Sequence, residues 1–483
     1  MNEQTVRRSI NKAEAAFLEC WGALDDLKSV GPTQRVALFQ GRLGEALKSL
    51  AALSEQIARE RRRLNSRKSH VNHTWFVGRQ RALGKYQNTL REAAGIGRAL
   101  GDAFAWLFYQ NSLDLLAQHL ARPPIESFPT GVGGIGEIEL VRGLQLVGGR
   151  FFVLHHSHTT ILRIGDVSFI DLDEFNVAGL GEIKTHQVAP GELRIHLSTI
   201  SDADSPLNLL VDEEVPAERL SPAEEMPDWV RERLQRQVDV MKSAIGSSTP
   251  PDYKGADLAR RGLTGRLTEL AESARVGRPA IAQVDPALVG VVMRFRRSGL
   301  YSRLTGTKHA EVGLDDLPTI ASDILAEGST HNSVHIGSLL FRKDGSPQFQ
   351  LGSIPLLWSD MPMETLRRFY FQEWFPVVVF NPAPILDRLE RAGFAINPTG
   401  SHPFDIEAER MVGDRRCVLH GFPYYFHLVM TCVMSSEDVS DIIDALVVES
   451  EGRVTGEGPY RLQLNLNIRP GRPPTGTTGR RDA

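Results

Sequence analysis

Apolar residues in the first 65 positions recur at three- and four-residue spacing, in "AEAAFLECWGALDDLKSV" and again in "RVALFQGRLGEALKSLAALSEQIARERRRL". That period marks amphipathic helices. Gly31-Pro32-Thr33 interrupts it, so the spacing predicts two antiparallel helices over 3–65, a helical hairpin or short coiled coil. A third helical block covers about 76–120 and closes on "LGDAFAWLFYQNSLDLLAQHL", whose Phe104, Trp106, Phe108 and Tyr109 read as core. After "ARPPIESFPTG" the pattern changes. "GIGEIELVRGLQLV" predicts a short helix, and "RFFVLHHSHTTILRIGDVSFID" one or two strands rich in β-branched and aromatic residues. "VAGLGEIKT" and "ELRIHLSTI" predict two more strands.

Helical spacing returns in "PDWVRERLQRQVDVMKSAI" and "ADLARRGLTGRLTELAESAR", followed by the strand-like "PALVGVVMRF". From about residue 330 a second mixed region begins. "NSVHIGSLLFRKDGSPQFQLGSI" reads as a hairpin turning at Asp344-Gly345. "METLRRFYFQEWF", "PAPILDRLERAGF" and "SEDVSDIIDALVV" read as helices, "PVVVF" and "YYFHLVMTCVM" as strands. The tail "RPGRPPTGTTGRRDA" has the composition of a disordered segment. The expected fold class is multidomain α/β and α+β. It has a helical hairpin or bundle over 1–125, a central α/β domain over 126–310, a C-terminal α+β domain over 325–468 and a disordered tail over 469–483.

Composition adds limits. A chain of 483 residues suits two to four domains, each with its own core. A net charge of −4 excludes a general polycation. The charge is uneven, however: residues 51–100 hold eleven Lys/Arg against three Asp/Glu, and residues 201–228 hold nine Asp/Glu against one Arg. Cys20, Cys417 and Cys432 form neither a disulfide framework nor a zinc spacing, which points to a reducing compartment. No apolar run reaches the roughly 18 residues of a membrane span, and the N-terminal stretch lacks the apolar core of a signal peptide. A cytoplasmic protein with no membrane partner is expected. The run "RERRRLNSRKSH", with Arg61, Arg62, Arg63, Arg67 and Lys68 in a basic stretch over 59–98, has two readings. It is a solvated helix end beside the C-terminal dipole, or a set of phosphate contacts.

Candidate chemistry gathers in "RIGDVSFIDLDEFNVAGLGEIKTHQ", residues 163–187. If its two strand-like runs pair about a turn near Asp173–Asn176, Asp166 falls opposite residues 182–184. Only one parity of register puts Asp166 with Glu182 and Lys184, since a one-residue slip reverses every side chain. Asp171 and Asp173 lie at the turn and read as turn residues. Two carboxylates bind a hard cation such as Mg²⁺ or Mn²⁺. Such a cation lowers the pKa of a bound water and offsets the charge of a phosphodiester. An adjacent ammonium serves the water or the transition state. The preceding helix offers a third acid. Glu137 shares a face with Leu140, Val141 and Leu144 and edges the core, whereas Glu139 lies on a polar side with Arg142.

This order resembles the PD-(D/E)XK nuclease superfamily. It runs from a helix with an acid, through a strand and a "GD" opening the next strand, to "EIK" on the third. The matching positions are Asp166, then Glu182 and Lys184 sixteen and eighteen residues later, with Gly165 where the family name carries proline. The resemblance spans about residues 130–300. It implies a restriction-endonuclease-like αβββαβ domain in which "RLQRQVDVM", with Gln235 and Gln237, is the helix after the third strand. It further implies a Mg²⁺- or Mn²⁺-dependent endonuclease that hydrolyses phosphodiesters. DNA is the expected substrate, and restriction, repair or anti-phage defence the expected setting. Asp166, Glu182 and Glu137 would be the metal ligands and Lys184 the catalytic amine. Nucleic acid is the expected partner, the N-terminal helices offer a surface for a homodimer, and a protein partner is a further expectation. The alternative is a catalytically inactive nuclease fold that binds or scaffolds.

Other signals carry less. "GVGGIG", residues 131–136, matches a dinucleotide fingerprint but follows "RPPIESFPT" rather than a strand. His155, His156 and His158 read as polar strand residues beside the site, and His402, His420 and His427 lack ligand spacing. No Gly-Lys-Ser/Thr phosphate loop is present.

Overall fold

The computed structural model describes residues 1–201, 263–443 and 460–462, apart from 32, 124–127, 144–145, 148–149, 174–175, 190–191, 297–298, 311–321, 323, 343–344, 350–354, 402, 413–414 and 432–433. The acidic segment 202–228, the helix expected around Gln235 and Gln237, and the C-terminal tail lie outside the described residues, as does His402.

The N-terminal pattern builds α1 (Glu3–Ser29), α2 (Gln34–Ser66), α3 (His73–Tyr109) and α4 (Leu113–Leu120). Asn2, Thr33 and Asn72 cap the first three through their side chains, satisfying amides that a helix start leaves open. Val6, Ile10, Phe17 and Leu24 of α1 are buried with Leu43, Leu47, Leu50 and Ile57 of α2 and Leu90, Ile96 and Leu100 of α3. The hairpin is therefore two thirds of a three-helix bundle. The apolar stripes that a coiled-coil dimer would use face inward.

Next come α5 (Val132–Gly143) and five strands, β1 (Leu146–Val147), β2 (Phe151–His155), β3 (Val167–Asp171), β4 (Asn176–Ala189) and β5 (Glu192–Ser201). They form one antiparallel sheet in sequence order. Its two faces are served by alternate residues. Phe152 packs on the bundle, its ring 5.1 Å from Phe108 and 6.2 Å from Phe104. Phe151, Val153, Val167, Phe169 and Ile183 form a separate cluster against Leu140 of α5. The sheet thus lies between bundle and α5. The expected strand "ILRIGDVSFI" begins only at Val167, because residues 156–166 form an excursion between β2 and β3, buried as far as Leu162. After the third expected strand the described chain continues with β5, where the αβββαβ order has a helix.

The bundle holds that excursion. Asp102 of α3 accepts from the Thr160 amide and hydroxyl, both at 2.6 Å, and from the Ile161 amide at 3.2 Å. Burial pushes the Asp102 carboxyl up to about 6 against the pull of these bonds. Gln40 of α2 pins β2 beyond the end of β1, donating to the Val153 carbonyl and accepting from the His155 amide, each at 2.9 Å. Contact is so close that a Cβ at Gly101 would stand 2.1 Å from the His158 carbonyl oxygen.

The remainder contains α6 (Thr264–Ser273), β6 (Ala280–Asp285), β7 (Leu288–Arg294), α7 (Leu300–Ala310), β8 (His335–Ser338), α8 (Met363–Tyr370), β9 (Trp374–Phe380) and α9 (Ala383–Arg391). Then follow β10 (Ala395–Pro398), β11 (Ile406–Val412), β12 (Arg415–Leu419), α10 (Phe422–Met430) and β13 (Tyr460–Leu462). Two further four-stranded sheets result, in the orders β6-β7-β9-β8 and β10-β11-β12-β13. The first sheet crosses the expected boundary at 310: β6 pairs with β7, and β7, assigned by sequence to the central domain, pairs with β9 of the C-terminal region. In the stretch expected as a hairpin over 332–354, β8 pairs with β9, and among the described residues a tight turn at Gly345 closes on the antiparallel Phe341–Pro347 bridge. "YYFHLVMTCVM" lies largely in helix α10 rather than a strand. Gly421 turns into it at φ +89°, and Phe422, Tyr425, Phe426 and Val429 bury one stripe.

The C-terminal part is tied to the bundle. Lys28 Nζ donates to the carbonyls of Leu357, Ser359 and Met361 at 2.9, 2.5 and 3.2 Å. Trp358 Nε1 donates to the Ala103 carbonyl at 2.8 Å. Arg303 bonds the Phe371 carbonyl at 2.7 Å and pairs with Glu14. Among the described residues no helix is long and apolar enough to cross a membrane.

Two helical glycines make a paired test of the docking. Gly101→Ala should destabilise by about 1–3 kcal/mol through overpacking on the His158 carbonyl. Gly41→Ala, which meets nothing within 4 Å, should stabilise by about 0.5–1 kcal/mol. Urea midpoints at constant slope measure both.

Candidate metal centre

The site is built where β3 and β4 begin to separate. Val167 lies against Gly181, and the ladder runs Ser168 against Leu180 and Phe169 against Gly179. This is the parity the sequence argument required. Ile183 turns toward α5 and is buried, while Glu182 and Lys184 point the other way and are exposed. Asp166 stands one residue before the strand. Its amide donates to the Gly181 carbonyl at 2.8 Å. Its carboxylate takes the place of a ladder carbonyl, with Oδ2 accepting from the Ile183 amide at 2.7 Å. Gly165 makes this approach feasible. It adopts φ +71°, and a Cβ there would sit 2.8 Å from the Gly181 carbonyl oxygen.

Charges converge on Asp166. Burial raises its pKa, the Ile183 amide lowers it, the Glu182 charge raises it and the Lys184 charge lowers it. Lys184 pairs directly with Glu182, and that contact raises the lysine pKa. Glu137 arrives from α5. It is 8 % exposed, whereas Glu139 lies on the outer side of the helix. Burial pushes the Glu137 carboxyl up to about 7, with the Ser157 hydroxyl opposing and the Asp166 charge adding. Its Oε2 is buried without a hydrogen-bond partner. Asp166 therefore feels the charges of Glu137, Glu182 and Lys184, and the ladder register sets Glu182 and Lys184 on its side of the sheet. Among the described residues, these carboxylates do not form a set with all ligand atoms within 4.8 Å of one another.

Asp171 and Asp173 take no part. Asp171 pairs with Arg150 and accepts from the Asp173 amide at 2.8 Å, which shapes the turn into β4. His155, His156 and His158 are between 0 and 2 % exposed and cannot reach a substrate. The basic run divides. Arg61 is drawn into the α2–α3 interface by Gln80 and Gln87, at 3.2 and 2.9 Å. Arg62, Arg63, Arg67 and Lys68 are exposed. Glu55, which bonds Thr130 just before α5, lies roughly 10 Å along α2 from Arg62. "GVGGIG" opens α5, and Gly136 lets that helix press on Thr185 of β4.

One set of ligand atoms does lie within 4.8 Å: His331, Asp387 and Glu390. His331 Nε2 is 2.8 Å from Glu390 Oε1, and Ser329 donates to Asp387 at 2.6 Å, so local partners account for the cluster. His420 pairs with Glu407 at 2.7 Å, and His427 is buried with its pKa lowered to about 4.

The chain matches no protein-family model, no curated protein and no solved structure.

Glu137 gives the site a pH signature. Its carboxyl titrates near 7 in the fold against 4.5 when unperturbed. Between those values the folded chain holds the extra proton, so Glu137's contribution to stability falls as pH rises. Glu137→Gln should remove that slope and stabilise the cation-free protein above pH 7. Thermal midpoints from pH 4.5 to 8 measure it. A divalent cation should stabilise wild type more at pH 8 than at pH 6.

Proposed function

We propose that the chain is a metal-dependent nuclease that hydrolyses phosphodiester bonds in DNA through Asp166, Glu182, Lys184 and Glu137. The observation that carries this reading is the Asp166 carboxylate, held at the open end of the β3–β4 ladder among three other ionisable groups. The donors are all carboxylate oxygens, the chemistry that Mg²⁺ and Mn²⁺ prefer. Burial raises two of the acids, and one Glu137 oxygen has no partner. Both features suit a site that a cation completes. Asp166 and Glu182 would hold the ion with Glu137 assisting. When bound, such an ion lowers the pKa of water and offsets phosphate charge.

The chain's own groups do the remainder. Lys184 is exposed and paired with Glu182, and once a cation draws the Glu182 carboxylate away its ammonium would orient water or face the charge that develops on a phosphate oxygen. The Ile183 amide fixes the Asp166 carboxylate without consuming its second oxygen. Arg62, Arg63, Arg67 and Lys68 supply a sequence-independent grip on the backbone, past the end of the site. A PD-(D/E)XK arrangement accounts for this order of helix acid, "GD" and "EIK" on successive elements, and defence, restriction or repair are the settings it suggests.

The rival reading, a nuclease-like fold that binds without cutting, is favoured by the Glu182–Lys184 pair, in which each group occupies the other. Cleavage decides between them. With Mg²⁺ or Mn²⁺ and plasmid DNA, wild type should cut, and Asp166→Ala and Lys184→Ala should each lose at least about 10²-fold, on the scale of removing a transition-state contact. Retained DNA without cutting in wild type would assign the rival. Replacing Arg62, Arg63, Arg67 or Lys68 by Ala should weaken DNA retention for all sequences alike. Each change should reduce the slope of log affinity against log salt by about 1.

A further inference from the structure

Behind Asp166, on the bundle side of β3, lies a set of polar side chains that the proposed reaction does not use. Tyr109, His119, His156 and Ser168 are each 0 % exposed. Buried polar groups need partners, and these four supply one another. The Arg163 and Ile164 amides donate to His119 Nδ1 at 2.8 and 3.0 Å. His119 Nε2 lies 3.1 Å from the Tyr109 hydroxyl, which lies 2.5 Å from Ser168 Oγ. Ser168 Oγ lies 2.5 Å from His156 Nε2, and His156 Nδ1 lies 3.0 Å from the Gly165 carbonyl oxygen. The His156 amide donates to the Asp166 carbonyl at 2.9 Å.

The two ends settle every proton between them. Amides only donate, so His119 Nδ1 is an acceptor and its Nε2 carries the hydrogen. A carbonyl only accepts, so His156 Nδ1 carries the hydrogen and its Nε2 is the acceptor. Tyr109 then donates to Ser168, and Ser168 donates to His156. Reversing one link leaves two hydrogens or two lone pairs facing each other. Both rings are neutral: burial and the Arg163 charge lower His119 to about 4, and burial and the nearby His119 lower His156 to about 3.

We propose that Tyr109, His119, Ser168 and His156 form a positioning circuit for Asp166, leaving the backbone at the Arg163 and Ile164 amides and returning to it at the Gly165 and Asp166 carbonyls. The circuit spans the segment that must hold Gly165 at positive φ. His156 is its clamp, gripping one carbonyl through its ring and the next through its amide. The reason to build it is directional. Asp166 has one oxygen on Ile183, and a small rotation of the 165–166 peptide would re-aim the other. That last step rests on the reading of Asp166 as a cation ligand; the proton order does not.

The test therefore has two arms on the full chain. Nitrogen-15 NMR of the histidines should find His156 in the Nδ1–H form and His119 in the Nε2–H form at pH 7. Either ring in the opposite tautomer, or protonated, overturns the circuit. In Tyr109→Phe and Ser168→Ala, amide exchange should accelerate at Asp166 and Ile183 by about tenfold or more while β7 and β9 stay protected. The double variant should lose no more than the worse single, because both break one chain. Unchanged exchange at Asp166 overturns the circuit. Mn²⁺ affinity, measured by calorimetry, should fall about 10-fold or more in the same variants, as for groups that orient a metal ligand. Faster exchange in a protein that binds no Mn²⁺ upholds the circuit and rejects the cation reading.

Discussion

A single steric fact governs the arrangement of the candidate site: the carbonyl of His158 lies where a side chain on Gly101 would be. Only a bare helix surface admits the chain so closely. Once there, the excursion between β2 and β3 can reach Asp102, whose carboxylate satisfies three donors of Thr160 and Ile161. A buried carboxylate with fewer partners would cost several kcal/mol. The excursion is thereby fixed on the bundle at one end and on β4 at the other. Asp166 lies at the second end, and its placement follows from the first.

The three-helix bundle is thus a foundation rather than an appendage. Gln40 satisfies the backbone of β2 where it runs past the two-residue β1. Tyr109, the last residue of α3, carries the bundle's geometry into the hydrogen-bonded chain beneath Gly165. Catalytic groups in mixed folds commonly sit on loops held by rigid elements. Here the rigid elements come from a sequence-distant helical region, and the segment they hold is buried from His156 to Leu162 and surfaces at Gly165.

How much of this was legible beforehand follows from the range of each interaction. Helical period and capping residues are local, so α1, α2 and α9 follow from residues near them in sequence. Asp166, Glu182 and Lys184 could be singled out because hairpin pairing relates residues at a fixed spacing, and the register has the required parity. Glu137 was separable from Glu139 by its apolar neighbours on one helix face. Long-range pairing was not legible. β7 joins β9 across some 80 intervening residues, and nothing in "PALVGVVMRF" names its partner. "YYFHLVMTCVM" has strand-like composition, yet the left-handed Gly421 and Pro423 start a helix there. Arg61 looked like its neighbours, but one turn of helix sends it to Gln80 and Gln87. The histidines of "LHHSHTT" looked like strand decoration. Their real signal was the density of buried polar residues, which only pays off when Tyr109 and His119 arrive from elsewhere.

The ties between bundle and C-terminal region bear on how this chain can be taken apart. The Lys28 ammonium is lodged among the Leu357, Ser359 and Met361 carbonyls, and the Trp358 indole reaches Ala103, the neighbour of Asp102. An excised fragment over 126–310 would forfeit Gly101, Asp102, Tyr109 and His119 together, and with them the surface on which Asp166 is mounted. Chimaeras and minimal fragments designed on apparent modules would sever the site from its own scaffold.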